Sequence, residues 1–470
     1  MATTLLRTLP YLRRPDRVRW DVAAVVAAVA LVVGAAAEGW HLLHRRVPLF
    51  VEFPPLFARW LPHTGVGTVP VVLLGATGAL LSRRLADTLG WRPLLAGATA
   101  ASMLWTASLA LVDGWQRGWA GRLATSDEYL HDLPRIGGIG EFLAGFSDHI
   151  LDFRPGSWTT HVSSHPPGAT LVFLLLDRIG LGGGGWAGAL VVVVGSTAGI
   201  AVGVTVAALG APLAARTLLP FAVFFPGAVW IGVSADGLFA AAAAWGVALS
   251  VVGGRLHRSG RRIGWAVSGT GGLLLGIAGY LSYGLALVVL LVAVAVALRP
   301  ARAQIAVPAG VLVVVAAFST AGFDWLHGEH LLTIRYNQGI ASVRPYSYFV
   351  WANLAALVLC AGPMVAAGLR RAVSVVIRGL ATVVAQRFRG PGTMSRETMV
   401  PAAMSVAALL AIGIADVTGL SKAETERIWL PFAIWLIAAL ALLPRRLLPL
   451  ALAVQIAVPL LVNHLLLTYW

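Results

Sequence analysis

The sequence predicts an all-α, polytopic membrane protein that forms a single transmembrane domain over residues 1–470. The 470 residues are 58% hydrophobic and only 12% charged, with a mean hydropathy of +0.81, whereas about a quarter of the residues in soluble domains are charged. More than a dozen apolar runs approach the roughly 20 residues that a membrane-spanning helix needs. A soluble globule cannot bury this much apolar surface, so the lipid bilayer is the expected solvent.

The charge pattern supports the same fold class and excludes several kinds of protein. The formal net charge is +15, but the arginines lie in short clusters between apolar runs. This is the positive-inside pattern of membrane proteins and not the basic stripe of a nucleic-acid-binding protein. No glycine-rich nucleotide-binding loop occurs, which argues against a nucleotide-driven pump. Cys360 is the single cysteine, so no disulfide can form within one chain.

The arginine clusters orient the predicted spans. Arginines before residue 20 place the N-terminus in the cytoplasm. Because this stretch lacks the apolar core of a signal peptide, the first span, near 22–38, is expected to remain as an anchor. Spans near 65–82 and 94–112 follow, although Arg45 and Arg46 conflict mildly with a non-cytoplasmic loop between the first two. The third span therefore ends outside the cytoplasm.

A count backwards from the C-terminus gives the remaining loops. The basic segment 370–398 is expected in the cytoplasm, which places Asp236 and Tyr283 on the non-cytoplasmic side. Within the first long exterior loop, the run EFLAGFSDHIL has apolar residues spaced for one face of an interfacial helix. The predicted exterior loops are 113–164, 322–350 and 418–428.

The two counts disagree by one crossing at 165–181. The run there is short and ends in four glycines, and a helix that enters from outside and returns would restore the parity, since irregular backbone is tolerated where protein covers it. The sequence thus predicts about 13 transmembrane helices plus one partial or re-entrant helix and exterior interfacial helices. A wrongly assigned span elsewhere is the alternative.

Acidic residues in the exterior loops are the candidate catalytic groups. Asp113, Asp127 and Glu128 could act as general base for an attacking hydroxyl, or they could be solvated loop residues. Asp236 lies where two apolar spans meet, where an acid needs a partner or a cavity, and it could equally be a helix N-cap.

Basic and aromatic residues in the same loops are the candidate anion ligands. His165 of HVSSHPPG, with His161 nearby, is expected at a helix start, where it could face a phosphate or only cap the helix. In 419–432, Lys422 and Arg427 predict a phosphate clamp oriented by Glu424 and Glu426, although Lys422 and Glu426 could form a plain helical pair. Arg335 and Tyr336 suggest an anion and ring contact. A metal site at His327, Glu329 and His330 is disfavoured, because their spacing is not that of a zinc motif.

Taken in order, these segments resemble the GT-C superfamily of membrane glycosyltransferases, which use polyprenyl-phosphate sugars. The resemblance covers roughly 110–435 and is nearest to actinobacterial members of the methylthioxylose transferase type, which decorate lipoarabinomannan of the cell wall. One departure is that the carboxylates follow the third predicted span, whereas the superfamily usually has them after the first. Asp127, Glu128 and Asp113 therefore stay open as the base, in that order. The segments that carry the resemblance are DEYLHDLP, HVSSHPPG, SADG, RYNQGIASVRPY and GLSKAETERIWLPF.

The resemblance implies a function, a location and partners. The expected enzyme transfers a sugar, with inversion, from a polyprenyl-phosphate donor to an envelope glycan or glycolipid at the non-cytoplasmic face of the cell membrane. His165, Arg335, Tyr336, Lys422 and Arg427 would bind the donor phosphate, and GT-C members often bind a divalent cation. The alternative function is a transporter or flippase for a lipid-linked glycan. It would require ionisable groups at mid-span, where Asp177 and Arg178 are the main candidates.

Overall fold

The computed structural model describes residues 16–386 and 394–469. The predicted cytoplasmic arginines before residue 16, and those at 387 and 389, lie outside the described residues. The helices of the N-terminal half are α1 (Asp16–His44), α2 (Thr68–Thr88), α3 (Trp91–Ala110), α4 (Tyr129–Asp132), α5 (Ile139–Gly145), α6 (Thr160–Ser163), α7 (Pro167–Arg178), α8 (Gly184–Gly195), α9 (Ala198–Ala208), α10 (Pro212–Val223), α11 (Ala228–Ile231) and α12 (Ala235–Arg258).

The C-terminal half continues in the same style. Its helices are α13 (Ile263–Leu281), α14 (Val289–Leu298), α15 (Ala306–Thr320), α16 (Trp325–Gln338), α17 (Tyr346–Ala361), α18 (Met364–Gln386), α19 (Arg396–Val417), α20 (Thr425–Ile428), α21 (Leu430–Leu436) and α22 (Leu448–Leu465). Single-turn or tight helical segments occur at Gln116–Ala120, Arg122–Ala124, Leu133–Arg135, Phe146–His149, Tyr283–Val288, Arg302–Ile305, Ile340–Ser342, Ile437–Leu442 and Arg445–Leu447.

The apolar helices indicate a multi-pass membrane protein. Within residues 16–386 and 394–469, nine helices are long and apolar enough to cross a membrane, or up to ten if one sharply bent pair is a single span. The fold is nearly all-α, as the sequence predicts. The exception is a small antiparallel sheet of β1 (Ala58–Trp60) and β2 (Leu466–Thr468), in which Ala58 pairs with Thr468. Strands of three residues are too short to leave a periodic signal in the sequence.

Glycines let the spanning helices pack closely. A Cβ on Gly272 of α13 would lie 2.1 Å from the carbonyl oxygen of Val307 in α15, and one on Gly310 would lie 2.4 Å from the carbonyl oxygen of Gly269. Small residues at helix crossings allow the two backbones to approach each other, which is a common way of packing helices in lipid. The α13–α15 pair is thus built by the glycines of its sequence.

The segment predicted to be a partial helix forms α7, which has 12 residues. At its start, Gly168 packs against the carbonyl group of Tyr280. At its end, the Arg178 guanidinium donates to the carbonyl oxygen of Gly137. Both contacts are made with segments that the sequence predicts to lie outside the cytoplasm, and 12 residues are fewer than the roughly 20 that a spanning helix needs.

A sharp break separates α17 from α18. The two helices are bent by 105° at Gly362, whose φ of +92° is accessible to glycine at little cost, and Pro363 follows. Beyond the break, Arg370 and Arg371 donate to the buried Asp21 of α1, over 2.7 and 2.5 Å at the closest atoms. Asp21 thereby ties the start of α1 to the basic helix α18.

Candidate functional site

Charged residues from three distant segments meet around Arg427, which is 6% exposed. Its Nη1 donates to Asp236 Oδ2 over 2.7 Å, and its Nη2 donates to Glu424 Oε2 over 3.0 Å. Nη2 also lies 2.9 Å from His161 Nε2. Asp236 is in the first turn of α12, His161 is in α6 and Arg427 is in α20. We refer to Glu128, His161, Asp236, Glu424 and Arg427 as the Arg427 cluster.

The contacts of His161 determine which of its nitrogens carries a proton. A guanidinium can only donate hydrogen bonds, so His161 Nε2 must accept from Arg427. The ring proton is then on Nδ1, which lies 2.9 Å from Glu128 Oε1. His161 therefore links the carboxylate of Glu128 to the guanidinium of Arg427.

Glu128 is the carboxylate of the acidic loop that joins this cluster. It is 4% exposed and stands at the position before α4. Burial by itself would raise the pKa of Glu128, but His161 and Arg427 outweigh it, so the pKa falls below its ordinary value and the group is ionised at neutral pH. The backbone of Tyr129 also contributes a hydrogen bond that lowers the pKa of this carboxylate. An ionised carboxylate in this position can accept a proton.

The other two candidate bases lie in different surroundings. Asp127 is exposed; its Oδ1 accepts from Thr160 Oγ1 over 3.1 Å, and its backbone carbonyl accepts from the His161 amide over 2.9 Å. Asp113 is buried in a separate group, where Arg122 Nη2 and His63 Nε2 each lie 2.6 Å from its carboxylate. Asp127 thus helps to position His161, and Asp113 is neutralised locally. The sequence had ranked Asp127 above Glu128.

His165 lies beside the cluster just before α7. Its Nδ1 lies 2.9 Å from both the Tyr129 hydroxyl and the His161 carbonyl oxygen. Because a carbonyl only accepts, Nδ1 carries the proton and Nε2 is an acceptor in the neutral ring. Burial lowers the pKa of His165 to about 4, so the ring has no charge at neutral pH. This state favours a hydroxyl partner over the phosphate that the sequence suggested.

The remaining predicted phosphate ligands lie in a neighbouring region. Arg335 Nη1 lies 2.6 Å from Asp152 Oδ1, and the Tyr336 hydroxyl accepts from the Lys422 amide over 3.0 Å. Lys422, the only lysine of the chain, donates from Nζ to the Ala341 carbonyl over 2.9 Å and is partly exposed. An ammonium has three donors, so Lys422 can still bind an anion. Arg335 and Lys422 do not contact Arg427 in the described hydrogen bonds and ion pairs.

The two glutamates near Arg427 have different roles. Glu424 contacts Arg427, but Glu426 turns the other way and accepts from the Phe57 amide over 2.9 Å. Glu426 is fully buried, and burial raises its pKa to about 7. The helix begins only at Thr425, so Lys422 and Glu426 do not form the helical pair that was the alternative. Of these two glutamates, it is therefore Glu424 that helps to orient the guanidinium, together with Asp236.

The backbone before α20 is strained. Ala423 and Glu424 have φ values of +71° and +62°, in the left-handed region that non-glycine residues seldom adopt. Each such residue costs on the order of 1 kcal/mol and tends to occur where function fixes the geometry. The turn places Glu424 between Arg427 and Arg344, which lies 3.4 Å from Glu424 Oε1.

Arg344 is a residue that the sequence reasoning did not select for the site. It is buried, and it also donates to the carbonyl groups of Leu49, Phe50 and Lys422. It thereby holds the loop after α1 against the Arg427 cluster. An available signal was that an arginine in a predicted exterior loop is not explained by the positive-inside pattern.

Tyr283, a predicted supporting residue, lies outside the cluster. It packs against Trp325, the first residue of α16, with ring centroids 5.1 Å apart.

Within the described chain, no three His, Cys, Asp or Glu side chains are arranged to hold a metal ion. His327, Glu329 and His330 do not form such a group.

No protein-family model, curated protein or solved structure matches the chain. The chemistry of the site must therefore be argued from its geometry.

Proposed function

We propose that the chain is an integral membrane glycosyltransferase of the GT-C type. It transfers a sugar from a polyprenyl-phosphate donor to an envelope glycan or glycolipid on the non-cytoplasmic face of the membrane, with inversion. The observation that carries this proposal is the convergence of Glu128, His161, Asp236 and Arg427 in one buried cluster at one end of an apolar helix bundle.

Glu128 is the base in the proposed reaction. The acceptor hydroxyl oxygen forms a bond to the anomeric carbon, and the hydroxyl proton passes to the Glu128 carboxylate. The bond from that carbon to the phosphate oxygen breaks, and the phosphate leaves with the electron pair. Attack opposite to the leaving group inverts the anomeric centre. The lowered pKa of Glu128 keeps it ionised before each turnover.

Arg427 is better suited to position the base than to bind phosphate. The three carboxylates around it, Glu128, Asp236 and Glu424, already outnumber the two cations Arg427 and Arg344, so a second anion beside it would be repelled. Lys422 is the better phosphate ligand, because its ammonium has unused donors and no carboxylate among its described hydrogen bonds. A cation at the leaving phosphate stabilises the charge that develops there.

The proposed topology has the Arg427 cluster outside the cytoplasm. The Asp21, Arg370 and Arg371 group then lies at the cytoplasmic end, in line with the positive-inside rule. Three shorter apolar helices, at Pro212–Val223, Tyr283–Leu298 and Leu430–Leu442, would bring the crossings to about the 13 expected from sequence if each one also crosses. The bent helix α18, at 105° to α17, would lie along the inner surface.

The decisive experiment measures sugar transfer by the Glu128→Gln variant in proteoliposomes supplied with a panel of polyprenyl-phosphate sugars and envelope glycan acceptors. Removal of a general base is expected to lower the rate by about 10² to 10⁴-fold. The adjacent Asp127→Asn variant is the matched control and should keep at least a third of the rate. Full activity of Glu128→Gln, or movement of the lipid-linked sugar across the bilayer without transfer, would refute the proposal.

A further inference from the structure

A groove of about 540 Å³ lies between α1 and the start of α17. Small residues make the space: Gly34 and Ala37 line its α1 side, and a Cβ on Gly34 would lie 4.0 Å from the Trp351 ring. The groove reaches Pro345, which directly follows Arg344. Since Arg344 contacts Glu424, the groove lies at the same end of the bundle as the Arg427 cluster.

The polar groups of the groove are few and specific. Glu38 is exposed in the groove and lies six residues before the end of α1. A carboxylate at that depth of an apolar helix is costly unless it has a polar partner. Ser347 is exposed opposite it, and Trp351 presents an indole ring, whereas the Tyr348 hydroxyl is occupied by the Ala35 carbonyl. A mainly apolar cleft with a few oriented polar groups is typical of a small-molecule site.

Charge decides which kind of lipid headgroup fits. A carboxylate only accepts hydrogen bonds, so Glu38 suits hydroxyl donors and repels a phosphate. A sugar ring supplies several hydroxyl donors and an apolar face that can lie on an indole. The polyprenyl-phosphate donor is therefore a poor occupant, and an uncharged sugar headgroup is a good one.

We propose that this groove binds a glycolipid with an uncharged sugar headgroup. The sugar lies between Glu38, Ser347 and Trp351, and the alkyl chain passes beside Gly34 and Ala37 into the surrounding lipid. This inference rests on the proposed function only in identifying that glycolipid as the acceptor. The groove then leads the acceptor hydroxyl past Arg344 towards Glu128, on a separate path from the anionic donor.

The test uses the full chain in lipid nanodiscs and two photoreactive probes. One is an octyl glucoside with a diazirine in its alkyl chain, and the other is an octyl phosphate with the same diazirine. Mass spectrometry should find the glucoside probe on residues 34–42 and 345–351, at least tenfold above the phosphate probe. Excess unlabelled octyl glucoside should compete. Equal labelling by the two probes would overturn the proposal.

Variants separate the roles of charge and space. Glu38→Leu removes the carboxylate and Gly34→Leu fills the groove, so each should lower labelling by the glucoside probe about tenfold. Glu52→Gln is the control, because Glu52 is an exposed acid that contacts Tyr469, and it should leave the labelling unchanged. Unchanged labelling in both groove variants would refute the site. Labelling needs no sugar transfer, so Glu128→Gln should label normally. Labelling without transfer for any donor would refute only the proposed enzyme, and transfer without labelling would refute only the groove.

Discussion

Removing Arg427 from its buried ion pair with Asp236 should lower the free energy of unfolding strongly. Arg427→Met keeps the length of the side chain but leaves the buried Asp236 without its cation, while Glu424 keeps Arg344; breaking a buried pair in this way costs about 3–5 kcal/mol. The cost of Arg427→Met is expected in the upper part of that range, because Arg427 makes contacts of 2.7 and 3.0 Å and is only 6% exposed.

The second variant removes the charge that Arg427 leaves behind. Because Asp236→Asn abolishes that carboxylate, the double variant Asp236→Asn/Arg427→Met should be more stable than the sum of the single changes predicts, by about 2–3 kcal/mol. The free energies of unfolding can be measured by reversible SDS titration of the protein in mixed micelles, followed by circular dichroism. Arg154→Met, an exposed arginine, is the matched control and should change the free energy by less than about 0.5 kcal/mol.

The pH dependence gives an independent check. Burial alone would raise the pKa of Glu424, but Arg427 and Arg344 lower it below 4.5. A lowered pKa means that the stabilisation is present above the unfolded value and is lost as the pH falls through the folded value. The difference in the free energy of unfolding between wild type and Arg427→Met should therefore become smaller below about pH 4.5. Additive costs in the double variant, or a cost below about 1 kcal/mol for Arg427→Met, would refute the buried-pair reasoning.

Three further perturbations follow from the same structure. Burial raises the pKa of Glu426 from 4.5 to about 7, so its protonated form stabilises the fold fully below pH 4.5, and roughly 3 kcal/mol of the free energy of unfolding should be lost as the pH rises to about 7. Glu426→Gln should abolish this part of the pH dependence of the free energy of unfolding. An unchanged pH dependence in the variant would contradict the prediction. Asp113→Asn leaves the largely covered Arg122 side chain, 9% exposed, without its anion and should cost about 2–3 kcal/mol in SDS unfolding. A cost near zero would show that the Asp113 group is solvated. A Cβ on Gly362 would lie 1.9 Å from the Gln455 Oε1 atom, so Gly362→Ala should abolish monodisperse elution on size exclusion. Gly413→Ala is the control, because a Cβ on Gly413 meets open space, and it should elute normally. Normal elution of Gly362→Ala would show that the break between α17 and α18 can relax.

Segment 165–181 shows how far the sequence can lead. The count of crossings from the N-terminus and the count from the C-terminus differ there by one, and either a partial helix or a wrongly assigned span elsewhere would restore the parity. The structure has a helix of 12 residues in this segment, α7, which is shorter than the roughly 20 residues that a spanning helix needs. The number of crossings stays a prediction, because a sum along the chain reveals an error of one crossing but not its place.

The identity of the site residues was harder to predict. Asp127 and Glu128 are adjacent, and the sequence gives no reason for one to be exposed and the other buried. That choice depends on His161, which contacts the Glu128 carboxylate. It also depends on Arg427, which contacts His161 and lies 266 residues after it in the chain. Glu424 and Glu426 present the same problem, because a strained turn at Ala423 and Glu424 decides which of them faces Arg427.

The sequence by itself determined an apolar, multi-helix protein with its acidic residues in a few loops, because the free energy of moving a segment into lipid is a sum over its own residues. Tertiary structure decided which loop charges pair, since a buried charge is stable only beside a partner at the right distance and angle. It also decided that β1 meets β2 and that Arg344 supports the cluster. Each of these depends on atoms from segments far apart in sequence, and no local pattern records their distance.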